Sequence, residues 1–204
     1  MTDPTVTEIF FVEDNDVIRF CLRMFLQKLP DFNLIGEAAD GPTGLQKILE
    51  LNPKVALIDL GLPGLGGIEL TKALKSKMPD LKVLILTASE SEDDIFGALD
   101  AGADGYVLKG DFSNNLEIAI RSVRIGAVWL DPGIARQVLK LTQRRSGVHS
   151  GPSAAPQLSA EEHTVLTEVA QSSCSDGVCL VDPHFLHKLK RFSREIQMPK
   201  ASND

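Results

Sequence analysis

Val55-Ala56-Leu57-Ile58-Asp59 is a run of four apolar residues closed by a carboxylate, and Leu60-Gly61-Leu62-Pro63-Gly64 follows it. A short, continuously apolar run fits a parallel strand covered on both faces. The aspartate at its end needs a partner, because burying an unpaired carboxylate costs several kcal/mol. The glycine-proline loop behind it lets backbone approach a ligand closely.

The same grammar repeats on either side. Glu8-Ile9-Phe10-Phe11-Val12-Glu13, Leu34-Ile35-Gly36-Glu37-Ala38, Val83-Leu84-Ile85-Leu86-Thr87 and Gly105-Tyr106-Val107-Leu108-Lys109 each predict a strand. Helical segments lie between them. Phe20, Cys21, Met24, Phe25 and Leu29 share one helical spacing, and Ile95, Ala98, Leu99 and Gly102 another. Asp14 or Asp16 is placed to cap the first helix. Asn114 is placed to cap the last, whose buried side is Leu116, Ile118, Ala119, Ile120 and Val123. Five strand–helix units in succession predict an α/β fold with a five-stranded, parallel, doubly wound sheet.

In such sheets ligands gather beyond the carboxyl ends of the strands. Those ends carry Glu13 and Asp14, then Asp59, then Thr87 and Ala88, then Lys109. Three carboxylates on one rim call for a cation, and oxygen donors with open water positions suit Mg²⁺. A hydroxyl and an ammonium on the same rim supply donors for an anion's oxygens. The combination predicts a phosphoryl site, with Asp59 as the nucleophile. A phosphatase of the haloacid-dehalogenase kind would need a second aspartate two residues after Asp59, where Gly61 stands. A dinucleotide site would need a complete glycine fingerprint, and Gly64-Leu65-Gly66-Gly67-Ile68-Glu69 lacks its last glycine.

Residues 8–126 thereby resemble the receiver domain of bacterial two-component response regulators. The resemblance implies a flavodoxin-like (βα)5 receiver over residues 1–130. Within it Asp59 is the phosphoacceptor, and Glu13, Asp14, Asp59 and the Gly61 carbonyl are the Mg²⁺ ligands. Thr87 is the switch hydroxyl beside Ala88, Lys109 the phosphate-binding lysine, and Tyr106 the switch aromatic, which turns inward on phosphorylation. Ala101-Gly102-Ala103-Asp104-Gly105-Tyr106-Val107-Leu108-Lys109 is similar to the subgroup that carries a LuxR-type DNA-binding domain, the NarL/FixJ type. A sensor histidine kinase as phosphodonor, a homodimer on activation, and no enzymatic activity beyond the chain's own aspartyl phosphorylation and dephosphorylation are implied with it.

Beyond Leu130 the reading changes. Residues 134–141 predict a helix, and the Ser, Gly, Pro and Ala of residues 144–157 a flexible linker, so residues 131–157 form a helical extension and linker. Residues 158–204 form a second, small, mostly helical unit. The net charge of −7 is unevenly spread, with acidic residues dominating up to Asp131 and basic ones in slight excess after it. Leu158-Ser159-Ala160-Glu161-Glu162-His163-Thr164-Val165-Leu166 resembles the opening of a LuxR-type helix-turn-helix, with Ser159 and Glu162 as a capping box. His184-Phe185-Leu186-His187-Lys188-Leu189-Lys190-Arg191-Phe192 resembles its recognition helix, where Lys188, Lys190, Arg191 and Arg194 could reach promoter DNA. Residues 172–183 are shorter than the scaffold helix the family places there. An alternative therefore stays open, in which the tail mediates protein interaction or dimerisation and the basic run is a solvated helix face. Cys174, Cys179, His184 and His187 also invite a zinc reading, although their spacing matches no common module.

Three cysteines fit a reduced cytoplasm better than a disulfide scaffold. The apolar stretches are short and interrupted, so neither a membrane span nor a signal peptide is predicted.

Overall fold

The computed structural model describes residues 6–89, 91–146, 164, 167 and 180–181. Strands β1 (Thr7–Val12), β2 (Phe32–Ala38), β3 (Val55–Ile58), β4 (Lys82–Thr87) and β5 (Gly105–Leu108) pair in parallel in the order β2-β1-β3-β4-β5. All four residues of β3 are buried, and so are Ile9 to Val12 of β1, as strands sandwiched between helical layers must be. The helices are α1 (Asp16–Leu26), α2 (Gly41–Leu51), α3 (Gly67–Lys77), α4 (Glu92–Ala101) and α5 (Phe112–Arg124).

Local chemistry starts and stops these helices. Asn15 caps α1, its side chain accepting from the backbone N–H of Val17 and Ile18 at 2.9 and 3.2 Å. The expected caps, Asp14 and Asp16, flank it. Asp40 caps α2, and Ser91 caps α4. Gly102 ends α4 at φ +108°, a left-handed conformation that a side chain would strain. Asn114, the expected cap of the last helix, lies inside α5 because that helix starts at Phe112, directly after a 3-10 turn over Lys109–Asp111.

The five-stranded expectation needs correction. Gly126, at φ +87°, turns the chain after α5, and β6 (Val128–Leu130) then pairs in parallel with β5. A last strand, β7 (Leu180–Val181), adds antiparallel to β6, so the sheet has seven strands. Val128, Trp129 and Leu130 are all buried. Burial of that triplet gives β6 a sheet edge to complete, a reward that three residues do not advertise in sequence. Helix α6 (Pro132–Ser146) follows, longer than expected at both ends, and its Ile134, Ala135 and Val138 are fully buried in the same core as the sheet. The first residues of the expected linker, 144–146, are helical.

On α1 the apolar stripe divides differently from the expected one. Leu22 and Leu26 are buried, whereas Val17, Phe20 and Met24 are exposed along one face. Among the described residues, no helix is long and apolar enough to cross a membrane.

Candidate functional site

The strand order reverses between β1 and β3, and the crevice at their carboxyl ends is where a doubly wound sheet accepts a ligand. Glu13 and Asp14 follow β1, Asp59 follows β3, Thr87 ends β4, and Lys109 follows β5. Each acid is held by the ladder beneath it. The Glu13 N–H donates to the Ala38 carbonyl at 3.0 Å, and the Asp59 N–H to the Val12 carbonyl at 3.0 Å. Arg19, one turn into α1, donates to the carbonyls of Glu13 and Asp14 at 2.7 and 2.8 Å and so fixes the loop that carries them.

Lys109 is the local counter-charge. Its Nζ lies 2.9 Å from Glu13 Oε1, 2.7 Å from Glu13 Oε2 and 3.1 Å from Asp59 Oδ1. Glu13 and Asp59 are both buried, while Asp14 is exposed at the mouth. Burial pushes the Glu13 carboxyl above its ordinary value. The ion pair and hydrogen bond with Lys109 offset this only in part, and the Asp59 charge adds to the rise.

Each of Glu13, Asp14 and Asp59 presents a carboxylate oxygen within 4.8 Å of the other two. The donor set fits a hard divalent cation: all oxygen, doubly buried and open on one side. Buried Glu13 Oε2 lies 2.7 Å from the Lys109 ammonium, so in this structure the lysine balances the charge of the rim. Gly61 is exposed beside Asp59, where a Cβ would lie 3.4 Å from Asp59 Oδ2, an ordinary contact.

Thr87 is buried, and its hydroxyl oxygen accepts from the Ser89 N–H at 3.1 Å. Ala88 beside it is exposed. Tyr106 differs from expectation. Its ring is already fully buried, with no modification needed to draw it inward. The reason is polar: its hydroxyl donates to the Ser89 carbonyl at 3.1 Å, so burial leaves that O–H satisfied. Ser89 Oγ in turn donates to Asp94 Oδ2 at 2.5 Å, which ties this loop to α4.

The structure thus brings Glu13, Asp14, Asp59 and Lys109 into contact range, with Gly61 beside Asp59. Thr87, Ser89 and Tyr106 form an adjoining chain of hydrogen bonds. Sequence reading missed Ser89 and Arg19. Ser89 had a weak signal, a hydroxyl two residues past Thr87. Arg19 had one as well, a guanidinium one helical turn beyond the acid pair. Lys188, Lys190, Arg191 and Arg194 lie outside the described residues, as do Cys174, Cys179, His184 and His187.

Residues 9–121 match the response regulator receiver domain. The transcriptional regulatory protein LiaR of Bacillus subtilis is 33% identical over 172 residues, covering 83% of this chain and 79% of that protein. The response regulator protein VraR of Staphylococcus aureus is 29% identical over 142 residues, covering 70% of this chain and 68% of that one. Among solved structures, a LuxR-family two-component response regulator from Aurantimonas sp. SI85-9A1 superposes with a TM-score of 0.64 at 29% identity, covering 67% of this chain and 97% of its own.

Proposed function

The chain belongs to the response regulator receiver family, and on that premise we propose that Asp59 accepts a phosphoryl group from a sensor histidine kinase to switch a transcriptional output. The observation that carries the pocket reading is the single ammonium of Lys109 shared by Glu13 and Asp59, with Asp14 completing the acidic rim. Glu13, Asp14, Asp59 and the Gly61 carbonyl would hold Mg²⁺. When bound, the ion neutralises charge on the phosphoryl oxygens.

An Asp59 oxygen supplies the electron pair for the new P–O bond, while the P–N bond of the donor phosphohistidine breaks and its pair returns to the imidazole. Lys109 lies against Asp59 and can turn an N–H toward a phosphoryl oxygen. The Thr87 hydroxyl oxygen accepts from Ser89, which leaves its own proton to be offered to an anion. Exposed Ala88 and Gly61 leave the phosphorus open to donor and water. On this reading the chain's chemistry is the phosphorylation and dephosphorylation of its own aspartate. The exposed Val17, Phe20 and Met24 of α1 begin three residues past Asp14 and offer an apolar face beside the mouth for the kinase.

For the output, the resemblance of residues 158–204 to a LuxR-type helix-turn-helix and the description of LiaR as a transcriptional regulatory protein support binding to promoter DNA, which on this reading takes place in the cytoplasm. Lys188, Lys190, Arg191 and Arg194 would make the contacts, in a homodimer formed on activation. Mass spectrometry after incubation with a small phosphodonor and Mg²⁺ tests the pocket. One added phosphate, absent in Asp59→Asn, is expected; no adduct, or one that survives the substitution, overturns the reading. A gel shift that weakens steeply with salt and is lost on neutralising Lys190 and Arg191 tests the output.

A further inference from the structure

Arg19 sits behind the acid pair rather than on the rim. Its side chain is only 14% exposed, on a helix whose neighbouring Val17 and Phe20 face solvent. Nη1 donates to the Glu13 carbonyl at 2.7 Å and to the Asp14 carbonyl at 2.8 Å. Nη2 pairs with Asp16, and Nε lies 3.9 Å from Glu37 Oε1 on β2. The Arg19 N–H also donates to the Asn15 carbonyl at 2.9 Å. One residue thus ties the loop over residues 13–15 to the first turn of α1 and to the neighbouring strand.

We propose that Arg19 is the positioning residue of the cation site: its guanidinium holds two successive carbonyls in place and so sets the direction in which the Glu13 and Asp14 side chains reach the rim. This rests on the pocket reading above and adds to it the group that presets the ligands.

The physical link is short. Each peptide unit is planar, so fixing its carbonyl fixes the backbone on either side and with it the direction of the Cβ. Glu13 has further anchors, in the Lys109 ammonium and the Asn15 N–H at 3.3 Å. Exposed Asp14 makes no side-chain hydrogen bond among the described residues, so its placement depends on its backbone. The planar fork of a guanidinium serves the two carbonyls, Asp16 and Glu37 together, which the point charge of a lysine does not. Groups behind metal ligands act in this way, by orienting donors before an ion arrives.

Charge and geometry predict opposite signs. Arg19 is a cation close to a cation site, so by charge alone its removal tightens Mg²⁺ binding. Loss of the clamp weakens it.

Calorimetric titration of the full chain with Mg²⁺ separates the two. Arg19→Gln is expected to weaken binding about tenfold or more, the usual cost of losing a group that orients a metal ligand. Arg23→Gln is the control. It removes another cation of α1, one that pairs with Glu37 at 2.5 Å, and leaves both carbonyls served, so its affinity should match or exceed the parent's. Labelling by a small phosphodonor adds a second readout. Arg19→Gln should need more Mg²⁺ for its half-maximal rate yet approach the parent's rate at saturation, because Asp59 and Lys109 are untouched. Urea unfolding with chelator checks that each variant is folded. Arg19→Lys serves if the glutamine variant is not: it keeps the charge but loses the fork, so weaker binding is expected and a parent-like affinity overturns the proposal. A parent chain that takes up no Mg²⁺ overturns the pocket reading itself. A parent that binds, with Arg19→Gln binding as tightly or more tightly, overturns the positioning role alone. An equal loss in Arg23→Gln also overturns it, by assigning the effect to the pair with Glu37.

Discussion

Replacing Lys109 by methionine removes the one ammonium that Glu13 and Asp59 share while keeping most of the side-chain volume. At contacts of 2.7 and 3.1 Å, an effective dielectric of about 20 puts the gross attraction at roughly 5–6 kcal/mol per carboxylate. Desolvation of the three groups cancels much of this. Stripping one partner from a buried pair nevertheless leaves uncompensated charge, so Lys109→Met should lose about 3–5 kcal/mol at neutral pH without divalent cation. The loss depends on pH in a direction that can be worked out. The Glu13 carboxyl already titrates above its ordinary value because of burial, and removing Lys109 deletes the two largest influences that lower it, leaving the weaker hydrogen bond from the Asn15 backbone, while the Asp59 charge remains. A carboxyl raised on folding favours the native state at acid pH and loses that contribution as pH rises through its native value. The deficit of the variant is therefore largest at neutral pH and shrinks towards pH 5, as Glu13 takes up a proton. Mg²⁺ should stabilise the variant more than the parent, since the ion replaces the missing charge. Urea unfolding at pH 7.5 and pH 5, each with Mg²⁺ and with chelator, measures all of this. A neutral-pH loss below about 1 kcal/mol, the value of an exposed ion pair, refutes the reasoning, as does a deficit that grows towards acid.

In the unsubstituted chain, the metal site needs Glu13 ionised, so Mg²⁺ affinity should fall as pH drops through the raised Glu13 value, by up to about tenfold per pH unit below it. Calorimetric titration between pH 8 and pH 5 checks this, and an affinity that stays flat down to the ordinary carboxylate range counts against it. Gly67→Ala puts a Cβ 2.1 Å from the Asp59 carbonyl oxygen and 2.7 Å from Leu60 Cα, both backbone atoms that cannot swing aside. The expected cost is about 1–3 kcal/mol in urea unfolding, together with weaker Mg²⁺ binding as the Asp59 loop moves. Tyr106→Phe keeps the buried ring and deletes the hydrogen bond to the Ser89 carbonyl. Thermal melting should show a loss of about 1 kcal/mol, and an unchanged melt would mean the hydroxyl holds nothing.

The core of the fold and the acidic rim were legible for one reason: each announces itself within a few consecutive residues. Continuous apolar runs such as Val83 to Leu86 mark doubly covered strands, and polar residues at the ends of those runs mark the crevice. On α1 the pattern misled. Leu22 and Leu26 carry the buried face, although Phe20 and Met24 share its helical spacing. Hydrophobicity alone does not tell which apolar stripe meets the sheet. β6 was hidden by its length, and the inward setting of Tyr106 by its dependence on Ser89, which sits on another loop.

Taken by itself, the amino-acid sequence determined the alternation of strand and helix, the parallel sheet, and the membership of Glu13, Asp14, Asp59, Thr87 and Lys109 in one rim. These follow from local periodicity and from the rule that ligands meet the carboxyl ends of parallel strands. Only the tertiary structure decided that Lys109 bridges Glu13 and Asp59, that Tyr106 lies buried against Ser89, and that the sheet continues through β6 to β7. Those contacts join residues up to 96 positions apart, Lys109 and Glu13 among them. Their existence depends on which surfaces the folded chain brings together, and no window of neighbouring residues carries that information.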